Sequence, residues 1–175
     1  MLERIANLAL LVPIVGPYLV TGVMHSERPQ YNYPGKKKEH EGLDFAPRPY
    51  GAMAFARCAL PGTVLHAENR PTGYGLHVVI EHDWNGVHLL TWYAHLSAFN
   101  VQAGQRINVG HLVGVVGSSG LSSGPHLHFS LSLPGHGLRD LVLQDAINPQ
   151  PYFVNSTGAM IDPAAWYVGA EHPAA

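Results

Sequence analysis

The chain has almost no cysteine. Its single thiol, Cys58, excludes an internal disulfide and a zinc cluster of several thiolates, so the fold does not depend on an oxidising compartment. Cys58 stands among Ala56, Arg57, Ala59 and Leu60, where it reads as a small buried hydrophobe rather than a nucleophile. Charge is scarce as well. Charged residues make up 13% of the 175 residues and the formal net charge is -2 with neutral histidines, which gives no general attraction for nucleic acid. Long hydrophobic runs are also missing. The apolar start, MLERIANLALLVPIVGPYLVTGVM, is interrupted by Pro13, Gly16 and Pro17, carries Glu3, and is not followed by an A-x-A cleavage site. It reads as a short helix or coil, a turn, and a strand from Tyr18 to Val23, with no stable membrane insertion expected.

What the chain has in quantity is glycine (19), proline (14) and histidine (12). Frequent turn formers in a chain long enough for one domain with a real core suit short strands, and the expected class is all-β. From Leu43 onward, apolar stretches alternate with turns: Ala52 to Ala56, Thr63 to Ala67, Leu76 to His82, Val87 to Leu96. HVVIEHDWNGVHLLTWYAHL reads as a hairpin with Asn85-Gly86 as its turn. Glycines 104, 110, 114 and 117 punctuate VQAGQRINVGHLVGVVG, a pattern for tight turns in a small sandwich or barrel. That segment holds no lysine, which excludes a lipoyl or biotinyl carrier hairpin. GSSGLSSGP reads as a flexible loop and lacks the Gly-Lys-Ser/Thr ending of a phosphate loop. The run Lys36 to Lys38 reads first as solvated surface, with contact to an anionic polymer as the second reading.

Histidine carries the chemistry. In GPHLHFSL, His126 and His128 alternate with Leu127 and Phe129, so on a strand both imidazoles project to one face. A catalytic zinc takes about three protein ligands and keeps one position open. HEGLD offers the missing donors: His40 and Asp44 are spaced to share one side of an extended strand, and Asp44 would lower the charge of the site. WYAHLS adds His95 at the end of an apolar strand. His25, His66, His77, His82, His88, His111, His136 and His172 read as surface residues of a histidine-rich chain.

H-x-x-x-D, then Y-A-H-L-S, then G-P-H-L-H-F, in that order, resembles the lysostaphin-like, LytM-type zinc metallopeptidases. The resemblance covers roughly Leu11 to Phe153. It implies a two-sheet antiparallel sandwich, a barrel-sandwich hybrid of the duplicated hybrid motif, with long loops around a zinc cleft. It implies one Zn²⁺ per chain held by His40, Asp44 and His128, with His95 and His126 as catalytic neighbours of the bound water and substrate. The family often has an acidic residue after H-L-H-F; this chain has Ser130, which puts ligand orientation or metal affinity in question rather than the ligand set.

The resulting expectation is an endopeptidase cleaving amide bonds in peptidoglycan stems or cross-bridges, acting on the cell wall in an extracellular, periplasmic or phage-delivered setting. Residues 1–153 would form the metallopeptidase domain with its lead-in and 154–175 a tail, in which Trp166 and Tyr167 pack back on the domain. Specificity is expected in the loops Ser26 to Glu39 and Asn69 to Gly75 and beside Pro134 to Asp145, with Trp92 and Tyr93 in the groove walls. Two rivals remain. A non-catalytic relative would bind wall or regulate another hydrolase and lack zinc; a zinc peptidase with another peptide substrate would leave purified wall polymer undigested.

Overall fold

The computed structural model describes residues 5–26, 39–135, 146–165, 169 and 171–172. The lysine run 36–38, most of the loop Ser26 to Glu39, His136, the stretch up to Asp145, and Trp166 and Tyr167 lie outside the described residues.

Turn residues and alternating apolar positions produce β1 (Leu10–Leu11), β2 (Ile14–Val15), β3 (Tyr18–Gly22), β4 (Leu43–Pro47), β5 (Phe55–Arg57), β6 (Gly62–Arg70) and β7 (Gly75–Trp84). They continue with β8 (Val87–Phe99), β9 (Arg106–Ile107), β10 (Leu112–Val116), β11 (Leu127–Ser132), β12 (Ala146–Ile147), β13 (Phe153–Val154) and β14 (Glu171–His172). The all-β expectation is met, and the two sheets are very unequal. Among the described residues twelve strands form one curled antiparallel half-barrel, while β1 and β13 make a separate parallel pair. No helix among the described residues is long and apolar enough to cross a membrane.

The longest ladder is the β7–β8 hairpin, closed by Asn85 (φ 52°) and Gly86 (φ 70°). Two successive left-handed residues make the turn whose twist matches that of the flanking strands, which is why Asn-Gly marked it in the sequence. β8 pairs on its other edge with β11, and β11 with β4, so the three motif segments become neighbouring strands.

One face of this sheet carries the core. Leu43 and Phe45 of β4, Val78 and Ile80 of β7, Leu89 and Tyr93 of β8, and Leu127, Phe129 and Leu131 of β11 close into one apolar cluster. Tyr93 therefore belongs to the core and not to a groove wall: it packs edge-on against Phe129, and its hydroxyl accepts the Ala59 amide at 2.8 Å. Cys58 is buried in the same cluster, its thiol donating to the Leu60 carbonyl, and burial pushes its pKa up to about 12. The small-hydrophobe reading of Cys58 stands. His77 and His82 correct the surface reading; both are buried, His82 between the Pro61 carbonyl and the Thr91 hydroxyl.

Candidate metal centre

The opposite face of β11 presents His128 and Ser130. Register places Asp44 of β4 directly beside His128, with Gly22 next to Asp44 and Ala94 next to His128. Two donors thus sit side by side in a row whose outer members are too small to crowd them.

His40 arrives differently from the expectation. It precedes β4 rather than lying on it, and backbone bonds to the turn after β3 hold it: the His25 amide donates to the His40 carbonyl at 2.9 Å and the His40 amide to the Ser26 carbonyl at 3.1 Å. Gly42 makes this path possible. A Cβ there would lie 2.2 Å from the Phe129 carbonyl oxygen, so the chain crosses β11 in backbone contact that any side chain would prevent.

The three side chains converge. His40 Nε2 and His128 Nδ1 each lie 3.0 Å from Asp44 Oδ1, and 2.9 Å from one another. Each imidazole is oriented from behind: His40 donates its Nδ1–H to the Val23 carbonyl at 3.1 Å, and His128, in the tautomer that leaves Nδ1 for a ligand bond, donates Nε2–H to Ser130 Oγ at 2.8 Å. With those protons committed, the two inner nitrogens and a carboxylate oxygen face one point, an arrangement that a metal ion relieves, or, in its absence, protons on the imidazoles. In the metal-free centre burial raises the Asp44 carboxyl, but hydrogen bonding and charge from His128 and His40, protonated on their inner nitrogens, outweigh it and hold the group well below the usual carboxylate range. Nitrogen and oxygen donors of this kind, all buried, fit zinc, whose neighbouring ligands sit roughly 3.3 Å apart for bonds of about 2 Å.

Two more imidazoles flank the triad. His126 Nε2 lies 3.8 Å from Asp44 Oδ1, and the His95 ring is stacked obliquely on His126 with centroids 4.7 Å apart. Both have the same tautomer imposed by the main chain: His95 Nδ1–H donates to the Ser119 carbonyl and His126 Nδ1–H to the Gly124 carbonyl, each at 2.8 Å. Their Nε2 atoms are left as proton acceptors. Burial, followed by repulsion from His128 and His126, lowers His95 to about 4, so it stays neutral near neutral pH. His95 has φ 61°, a left-handed conformation costing about 1–3 kcal/mol for a residue with a side chain. The strain marks a bulge: Leu76 pairs with Leu96 but Val78 with Tyr93, so β8 carries one extra residue and His95 turns out of the core ladder toward the metal centre.

All five histidine and aspartate positions named from the sequence thus meet in one place. Reading from the sequence alone missed Tyr74 and Ser119. The Tyr74 carbonyl accepts the His95 amide at 2.8 Å, and its ring lies 6.1 Å from that of His128. Trp92 lies on this face too, but buried, its indole N–H on Ser132 Oγ. The segment expected to be a flexible loop is laced internally, Ser118 to Ser122 and Ser122 to the Gly124 carbonyl.

Residues 38–140 match peptidase family M23. The chain belongs to that family. Over 96 residues, 55% of this chain, it is 44% identical to the DD-carboxypeptidase/endopeptidase Mpg of Neisseria meningitidis, of which that stretch is 20%. It is 38% identical over 91 residues, 51% of this chain, to the glycyl-glycine endopeptidase ALE-1 of Staphylococcus capitis, 24% of that protein. The chain therefore spans a fifth to a quarter of these curated relatives. Among solved structures, the catalytic domain of the antimicrobial peptidase lysostaphin from Staphylococcus simulans superposes with TM-score 0.60 and 26% identity, covering 79% of this chain and 91% of that one. The lysostaphin-like resemblance and fold are thus established, and M23 peptidases are zinc metallopeptidases.

Proposed function

We propose that this M23 domain is a zinc endopeptidase that hydrolyses amide bonds in the peptide stems or cross-bridges of peptidoglycan. One observation carries the reading: two imidazoles held from behind and one carboxylate, all buried, converge on one point beside His95 and His126, whose Nδ1–H groups are held by main-chain carbonyls. His40, Asp44 and His128 hold the ion, one per chain. A zinc ion bound there supplies Lewis acidity for amide hydrolysis.

The protein's own part is positioning and proton handling. His95 and His126 take a proton from the attacking water and return one to the leaving amine, because each presents an acceptor nitrogen fixed by a backbone carbonyl behind it. The curled sheet buries the ligands, which strengthens every charge interaction among them. The turn after β6 carries Tyr74 to the edge of the site and supplies one groove wall. Relatives named for D,D- and for glycyl-glycine bonds share this domain, so the bond cleaved is set by loops around the site.

Metal content of purified protein, measured with fragment release from purified peptidoglycan, tests the proposal. The expected result is about one zinc per chain and release of fragments with new amino termini that a chelator abolishes. Zinc without release would move the substrate elsewhere. Absence of zinc with intact wall binding would replace the enzyme by the non-catalytic rival.

A further inference from the structure

We propose that Ser119 is a positioning residue for His95, its hydroxyl pinning the loop whose carbonyl fixes the His95 tautomer and ring. This rests on the reading of His95 as a proton acceptor in catalysis.

The bulge at His95 interrupts the β7–β8 ladder, and Ser119 repairs it. Its hydroxyl accepts the Leu76 amide at 2.8 Å and donates to the Leu96 carbonyl at 2.6 Å, standing between two residues that face each other across the two strands. One side chain thus ties β7, β8 and the 117–121 loop together. The same residue's carbonyl receives His95 Nδ1–H, while the Tyr74 carbonyl receives the His95 amide. The ring and the backbone of His95 are therefore held from two segments that are themselves in contact.

That contact leaves no slack. A Cβ on Gly75 would lie 2.3 Å from Ser119 Oγ, and one on Gly120 would lie 2.3 Å from the Gly73 carbonyl oxygen and the Gly75 nitrogen. The Leu121 amide donates to the Gly73 carbonyl at 2.8 Å. Without the hydroxyl, the Leu76 amide and Leu96 carbonyl lose their shared partner and the loop loses its central tether. The carbonyl facing His95 then shifts, and the imidazole is free to exchange tautomers or turn its Nε2 away.

The test compares Ser119→Ala, Ser119→Thr and His95→Ala with the parent as zinc-loaded full chains on soluble muropeptides from digested peptidoglycan. Long-range ¹H–¹⁵N spectra report the His95 tautomer. Ser119→Ala should keep its zinc and KM, lose roughly 10- to 100-fold in kcat, and show His95 as a mixture of tautomers. Thr restores the hydroxyl and should bring back both the single Nδ1–H tautomer and turnover. If the Ala variant does not fold, Ser119→Cys, of similar size but a weak hydrogen-bonding partner, takes its place with the same expected direction. A parental tautomer and kcat in Ser119→Ala, or a loss of turnover with the tautomer unchanged, overturns the proposal. Full turnover in His95→Ala would instead sink the catalytic reading of His95, and the tautomer measurement would still decide whether Ser119 fixes that ring.

Discussion

The two faces of β11 are equally buried and held together by opposite means. Leu127, Phe129 and Leu131 close one face against an apolar cluster, where any well-shaped hydrophobe of similar volume serves. His128, Ser130 and Ser132 close the other through named partners: Asp44 and His40, His128, and the Trp92 indole. Burial alone therefore says nothing about role here. The apolar face stores stability that is spread over many contacts, whereas the polar face concentrates function in a few bonds that cannot be exchanged.

Substitutions along this one strand separate the two kinds of burial. The largest effect falls on the polar face. His128→Ala, like Asp44→Ala, should drop bound zinc from about one per chain to near zero and abolish turnover with it, measured by metal analysis and fragment release. Retained zinc would remove the residue from the ligand set. On the other face, Phe129→Ala should cost about 3–5 kcal/mol of stability in urea unfolding, yet bind zinc wherever it remains folded. Ser130→Ala comes third. It deletes the acceptor behind His128, so zinc affinity should weaken by roughly 10- to 100-fold in chelator competition with little change in the urea midpoint of the metal-free protein.

Smallest is a pH effect away from the centre. Burial lowers His82 and His77 below their ordinary value of 6.5. The unfolded chain then binds more protons below that pH than the folded one, so their contribution to stability is complete above 6.5 and lost as pH falls through it towards the folded values. Each group adds at most about 1.4 kcal/mol per pH unit. Urea midpoints should decline on acidification, and His82→Gln should flatten that slope; an unchanged slope would show that the His82 proton is not linked to folding.

Much of this was legible in advance. The Asn85-Gly86 turn, the alternation in HLHFSL and the three separated His and Asp segments carry their structure in local pattern, because turn geometry and strand parity are local. Parity failed where the backbone departs from it. His40 stands off the strand, and the bulge at His95 reverses facing, so that Tyr93 and Leu96, three apart, both point into the core. Neither departure has a side-chain signature, although Gly42, Gly75 and Gly120 mark the close approaches that permit them. The partners of Ser119 and Ser130 were hidden for a related reason: a serine in a polar loop and a serine on a strand look the same in sequence whether or not they hold a histidine.

Three of the four imidazoles in direct reach of Asp44 or of each other, those of His40, His95 and His126, are steered by main-chain carbonyls, at Val23, Ser119 and Gly124. Substitution can replace a side chain but not delete a carbonyl, so mutational drift at Val23 or Gly124 leaves the steering acceptor in place so long as the backbone path survives. His128 is the one of the four that is held from behind by a side chain rather than a main-chain carbonyl. Position 130 is thus where inheritance can retune how tightly the centre grips its ion, residue by residue, without touching any group that grips it.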